Sequence, residues 1–152
     1  QTAKRRGKKI ILNPSPAGRT ILSCPMDIVD IFVLNEVEGE ALSGEKAPDR
    51  ILAILKEKYT HAEFLLTLGK NGAVYASKQE TIFKSIYSTK VVDTTAAGDT
   101  FTGYFFAWYL AGNTLEEALK VASMASSIAV SRPGAAASIP TKTEVLERLA
   151  SL

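Results

Sequence analysis

Short apolar runs of strand length, mostly continuous rather than alternating, constrain this chain more than any other feature. They are "KIIL" (9–12), "DIFVL" (30–34), "EFLLTL" (63–68), "GAVYA" (72–76), "TIFKSI" (81–86) and "KVV" (90–92). A strand that is apolar at every position needs cover on both faces, as in a parallel sheet. Between the first runs, "NEVEGEALSG" (35–44) and "PDRILAILKEKY" (48–59) carry apolar residues at helical spacing, with Pro48 suited to an early helical position. Strand, helix, strand in that order implies parallel pairing through right-handed crossovers. "GAVYASKQETIFKSI" reads as a hairpin inserted in that pattern.

After Asp93 the chain becomes helical. "AAGDTFTGYFFAWYLAG" runs from about 96 to 111 and stops at Gly112; it is apolar nearly all round, which predicts burial against a sheet. "TLEEALKVASMASSIAV" begins at Thr114 with Glu117 three residues on, the spacing of a capping box, and "TKTEVLERLASL" repeats the relation with Thr141 and Glu144. No internal repeat or interdomain linker interrupts the pattern. The fold class is α/β, a layered sandwich with a mainly parallel sheet.

Composition removes several functions. The net charge is +2, with 22% charged residues, so neither a nucleic-acid nor a membrane partner is implied. The basic cluster Lys4, Arg5, Arg6, Lys8, Lys9 reads as a solvated helix end leading into a strand. Cys24 is alone, which excludes an internal disulfide and suits a reducing compartment. One histidine and one cysteine argue against a His/Cys metal site or a Cys–His pair. No run is apolar enough to span a bilayer, and the basic start lacks the apolar core of a signal peptide. A cytoplasmic location is expected.

The stretch with most chemistry is "VVDTTAAGDTFTGYF" (91–105). The strand reading ends near Asp93 and the helix reading begins near Ala96. In a parallel α/β sheet, ligands bind beyond the carboxyl ends of strands, where helices begin. A helix start presents open N–H groups and a partial positive charge, which suits an anion. Small side chains at Ala96, Ala97 and Gly98 let that anion approach the backbone. Asp99 admits two readings from chemistry alone. It complements the helix dipole from the first turn, or it accepts the proton of a hydroxyl that attacks phosphorus.

"DTTAAGDTFTGYF" resembles the C-terminal signature of the PfkB carbohydrate kinases, in particular the ribokinase branch. Four further landmarks fall in family order: "NPSPA" (13–17), "LNEVE" (34–38), "TLGKNGA" (67–73) and "SRPGAAASIP" (131–140). The resemblance covers nearly the whole chain. It implies a ribokinase-like three-layer sandwich and ATP-dependent phosphorylation of a sugar hydroxyl, ribose to ribose 5-phosphate in the ribokinase case. ATP, Mg²⁺ and K⁺ are the implied cofactors; a homo-oligomer is expected because sheet edge and apolar surface left uncovered by an absent N-terminal half favour self-association.

Carried over residue by residue, the resemblance implies that Asp99 is the catalytic base. It implies that Ala96, Ala97, Gly98 and the Asp99 backbone form the anion hole. Asn35 and Glu38 match the Asn-x-x-Glu motif that supports Mg²⁺ and phosphate placement; read locally, the same pair is a helix N-cap with a solvated glutamate. Thr67, Gly69, Asn71 and Gly72 match the loop that holds ATP, and read locally they are a glycine turn into a hairpin. Ser123 falls on the helix position that flanks adenine, where a small polar residue also serves packing. Asp93, Thr95, Ala129, Arg132, Gly134 and Ser138 match the monovalent-cation site of ribokinases; "SRPGAAAS" is otherwise a surface loop after a helix.

A ribokinase-like kinase is about twice this length by resemblance, and its sugar-binding motifs and small lid sheet are not found here. Residues 1–152 are therefore expected to be one domain, the nucleotide-binding and catalytic C-terminal half, with the N-terminal half and lid absent. Two other readings stay open: a nucleotide-binding or assembly module without turnover, and a family kinase acting on another sugar or a nucleoside.

Overall fold

The computed structural model describes residues 1–15 and 24–152. Pro16 and Ala17 of the "NPSPA" landmark lie outside the described residues. The described chain forms two compact units, Gln1–Gly69 with Val74–Phe83, and Lys70–Ala73 with Lys84–Leu152.

In the first unit the apolar runs become strands. After a short helix α1 (Thr2–Arg5), β1 (Ile11–Leu12), β2 (Ile31–Asn35), β3 (Glu63–Thr67), β4 (Ala73–Ala76) and β5 (Thr81–Lys84) form one sheet in that order. β1 with β2, and β2 with β3, pair in parallel. Ile31, Phe32, Val33 and Leu34 are all buried, which is why the β2 run is continuously apolar. The β4–β5 hairpin closes through Ser77, whose N–H donates to the Glu80 carbonyl at 2.8 Å and whose Oγ accepts from the Gln79 and Glu80 N–H groups. The crossover between β2 and β3 is α2 (Glu36–Ser43) followed by α3 (Pro48–Lys58), with Pro48 in the first turn as expected. Both helices pack on β2 or β3, around a core in which Phe32 stacks on its register partner Phe64, centroids 5.5 Å apart. Gly39 lets α2 approach α3, since a Cβ there would lie 2.9 Å from Ile51 Cγ2.

The second unit is helical. α4 (Ala97–Tyr109) packs on α5 (Leu115–Ala129), which packs on α6 (Lys142–Ala150). The Thr114–Glu117 capping box forms in full, with Thr114 Oγ1 accepting from the Glu117 N–H and Glu117 Oε2 from the Thr114 N–H.

Three expectations need correction. "KVV" (90–92) is not a strand: the N–H groups of Val92 and Asp93 donate to the Val130 carbonyl at the end of α5, at 2.8 and 3.2 Å. α4 is not buried nearly all round; only Thr100, Phe101 and Phe105 are buried. Two of its partly exposed aromatic side chains make polar contacts, Tyr104 donating to the Pro140 carbonyl at 2.7 Å and Trp108 carrying the Lys142 ammonium 4.9 Å from its ring centre. At Thr141 only half of the capping box forms. Thr141 Oγ1 accepts from the Glu144 N–H, but the Glu144 carboxylate is drawn to Arg132 in an ion pair.

Candidate functional site

The candidate residues of the first unit collect at the C-terminal ends of β2 and β3. Asn35 closes β2 and lies in register beside Thr67, which closes β3. Asn35 is also the N-cap of α2. Its Oδ1 accepts from the Glu38 N–H at 2.9 Å, and Glu38 Oε2 accepts from the Asn35 N–H at 2.9 Å. The local reading of this pair is thus realised as a full capping box, but with Glu38 buried, not solvated. Holding Glu38 at 4% exposure, the fold leaves its other carboxylate oxygen with no hydrogen bond among the described residues. The Thr67 hydroxyl reaches the Leu34 carbonyl at 3.3 Å. Gly69 opens a single 3₁₀ turn that ends at Asn71.

In the second unit, Asn71 is exposed and Gly72 is buried. Gly72 has φ +112°, and a Cβ there would lie 2.1 Å from the Lys84 carbonyl oxygen. Only glycine fits, for a reason internal to the fold.

The loop before α4 has a different character. Ala96, the N-cap, holds φ 64° and ψ 4° and is the one non-glycine among the described residues with positive φ. It offers no side-chain cap, so the first turn of α4 is left open. The Ala97 N–H turns back to the Thr94 carbonyl at 3.2 Å, whereas those of Gly98 and Asp99 find no acceptor among the described residues. Thr100 closes the turn by donating to the Ala96 carbonyl at 2.8 Å. A Cβ on Gly98 would meet nothing within 4 Å, and its φ is not positive. Nothing among the described residues requires glycine there. The Asp99 side chain is exposed, with no hydrogen bond or ion pair among the described residues. Two donors and a free carboxylate therefore share one helix start.

The segments 93–95 and 129–138 come together. Asp93 Oδ1 accepts from the Thr95 N–H at 2.8 Å and Oδ2 from the Gly134 N–H at 2.9 Å. These contacts, led by the Thr95 side chain, hold the Asp93 carboxyl below the usual aspartate range. Ser138 is fully buried and its hydroxyl donates to the Ala135 carbonyl at 2.7 Å. The Ala129 carbonyl accepts from the Arg132 N–H at 3.2 Å. The Arg132 guanidinium pairs with Glu144 through one of its terminal nitrogens.

Ser123 is 2% exposed and its hydroxyl has no hydrogen-bond partner among the described residues, an arrangement shared by Thr100 Oγ1. A cavity of about 720 Å³ opens one turn further along α5, lined by Tyr87, Met124, Ser127, Ile128, Arg132 and Arg148 among others; neither Asp99 nor Ser123 is on its wall. Two contacts at the α4 start carried no sequence signal: the Thr94 carbonyl to Ala97, and the Ser126 hydroxyl, which donates to the Ala97 carbonyl at 3.1 Å. Among the described residues no three His, Cys, Asp or Glu side chains cluster as metal ligands, and no helix is long and apolar enough to cross a membrane.

A family model described as pfkB family carbohydrate kinase matches residues 1–142. The chain is 36% identical over 154 residues to the ribokinase of Haemophilus influenzae, covering 98% of this chain and 50% of that protein. Its structure resembles ribokinase from Thermotoga maritima, with TM-score 0.81, 34% identity, and 97% and 51% of the two chains covered. It also resembles Arabidopsis thaliana ribokinase complexed with ribose and ATP, with TM-score 0.82, 32% identity, and 96% and 49% covered. The chain thus spans about half the length of the curated relatives it matches.

Proposed function

Because the chain belongs to the pfkB family of carbohydrate kinases, we propose that it carries the phosphoryl-transfer machinery of an ATP-dependent sugar kinase most like ribokinase. Ribose is the acceptor in this reading, and ribose 5-phosphate and ADP are the products. The observation that carries it is the start of α4: open N–H groups on Gly98 and Asp99 beside an uncommitted Asp99 carboxylate.

The chemistry follows from those groups. The primary hydroxyl of the sugar gives its proton to the Asp99 carboxylate as its oxygen attacks the γ-phosphorus. A new P–O bond forms, the bond to ADP breaks, and ADP leaves with the electron pair. Charge that builds on the transferring phosphoryl group is met by the two N–H donors and the positive end of α4. An Asp beside an anion site is otherwise unfavourable; as proton acceptor it has a reason to be there.

Thr67, Gly69, Asn71 and Gly72 would hold the nucleotide phosphates and ribose, with Ser123 beside the base. Asn35 and Glu38 would support Mg²⁺ through water, and the free oxygen of the buried Glu38 carboxylate fits that role. Mg²⁺, when bound, neutralises phosphate charge. Asp93, Thr95, Ala129, Arg132, Gly134 and Ser138 would hold K⁺. Carboxylate, hydroxyl and carbonyl oxygens suit a hard cation, and the Asp93 bridge to Gly134 already ties the two segments. Arg132 would contribute through its carbonyl, because a cationic guanidinium cannot ligate another cation. The cation, when bound, shapes the anion hole without touching substrate.

The test is an ADP-release assay on the intact protein with and without ribose, beside a panel of other sugars and nucleosides. Ribose-dependent release supports the reading. Release with another acceptor moves the substrate while keeping the kinase; no acceptor-dependent release leaves a nucleotide-binding module and overturns turnover.

A further inference from the structure

We propose that Ser126 is a positioning residue for the anion-binding start of α4, an inference that rests on the kinase reading above. Ser126 sits on α5, and its hydroxyl donates to the Ala97 carbonyl at 3.1 Å, across 29 residues of sequence. The Ala97 carbonyl and the Gly98 N–H belong to one planar peptide unit. Fixing the oxygen therefore fixes the direction of the N–H, which is one of the two open donors.

The peptide needs holding. Immediately before it, Ala96 sits in the left-handed region at φ 64°. An alanine there is strained and keeps the conformation only where its surroundings impose it. The first turn has no side-chain cap to do so. The Thr94 carbonyl fixes the preceding peptide through the Ala97 N–H, and Ser126 fixes the following one from a second helix. α5 is a firm base for this, with a full capping box at its start and Ala122, Ala125 and Ala129 fully buried. The neighbouring hydroxyl is engaged elsewhere, since that of Ser127 reaches the carbonyls of Tyr87 and Ser123. Ser126 alone on α5 is hydrogen-bonded to the α4 start among the described contacts.

Ser126 acts here through the backbone of the α4 start, so its removal should act on the chemical step and leave binding alone. The test compares wild type, Ser126→Ala and Ser126→Thr in the intact protein. It reads sugar-dependent ADP release and the affinity for ADP with aluminium fluoride, a mimic of the transferring phosphoryl group. Loss of one neutral hydrogen bond predicts a kcat about 3–10-fold lower for Ser126→Ala, with KM for ATP and the affinity for ADP alone changed less than about twofold. The fluoride complex should weaken in parallel with kcat, and Ser126→Thr, which keeps the hydroxyl, should recover most of the loss. A Ser126→Ala protein with wild-type kcat, a loss confined to KM, or a loss that Ser126→Thr does not recover overturns the positioning role. A wild-type protein without sugar-dependent ADP release overturns the kinase reading instead.

Discussion

Two glycines in this chain have opposite reasons to be glycine. Gly72 is demanded by the fold, with φ +112° and the Lys84 carbonyl where a Cβ would go. Gly72→Ala is expected to destabilise by at least about 1–3 kcal/mol from the backbone alone, visible in denaturant melts. Gly98 is not demanded by the fold, since a Cβ there meets nothing and the backbone is ordinary. In the kinase reading its small size lets an anion approach the backbone. Gly98→Ala should leave stability unchanged or raise it by up to about 1 kcal/mol, because alanine is the better helix former. Turnover should still fall, by about 10–10³-fold, because the methyl group shields an anion-hole donor. Parallel thermal melts and kinetics on the intact protein separate the two effects; a Gly98→Ala enzyme of normal activity would argue that the loop does not receive an anion. Both glycines were legible in the sequence as glycines in family motifs. Their different causes were not, because the Lys84 carbonyl that selects Gly72 arrives from the far side of a hairpin.

Elements were legible where the signal was local. The continuous apolar runs of β2, β3 and β4 gave largely buried strands, and the Thr114–Glu117 spacing gave a full capping box. Asn35 is an N-cap as read, although Glu38 closes its box and is buried where a solvated side chain was expected. The misreadings came from contacts distant in sequence. Val91 and Val92 look like a strand, yet the backbone of 92–93 bonds to Val130, and Glu144 leaves its capping position for Arg132. The 93–95 and 129–138 segments show the same principle in a favourable sense, because Asp93 ties them through Gly134. With its folded-state value below the unfolded one, the Asp93 carboxylate contributes stability at all pH values above the ordinary aspartate value of 3.8. That contribution disappears as pH falls from there through the lower folded value. Asp93→Asn should therefore flatten the loss of thermal stability between about pH 5 and pH 2. An unchanged acid slope would mean that the bridge does not hold the loops. In the kinase reading, replacing K⁺ by a large organic cation at constant ionic strength should also lower turnover, and an unchanged rate would leave these segments as a plain loop pair.

At the scale of the molecule, family and fold are clear, while the chain spans about half of its curated relatives. In the kinase reading proposed above, residues 1–152 do not supply the sugar contacts. This chain alone is then expected to bind ATP weakly in calorimetric titration and to phosphorylate no sugar, since orientation supplies about 7–11 kcal/mol of such a barrier. Ribose-dependent ADP release from this chain alone would demand a sugar site within it. The central claim, that the start of α4 performs phosphoryl transfer with Asp99 as proton acceptor, is tested most directly by the turnover of Asp99→Asn in the intact protein at saturating ATP and sugar. The substitution keeps size and helix position but removes the base. Turnover should fall by about 10²–10⁴-fold with ATP affinity little changed; near-wild-type turnover would contradict the claim.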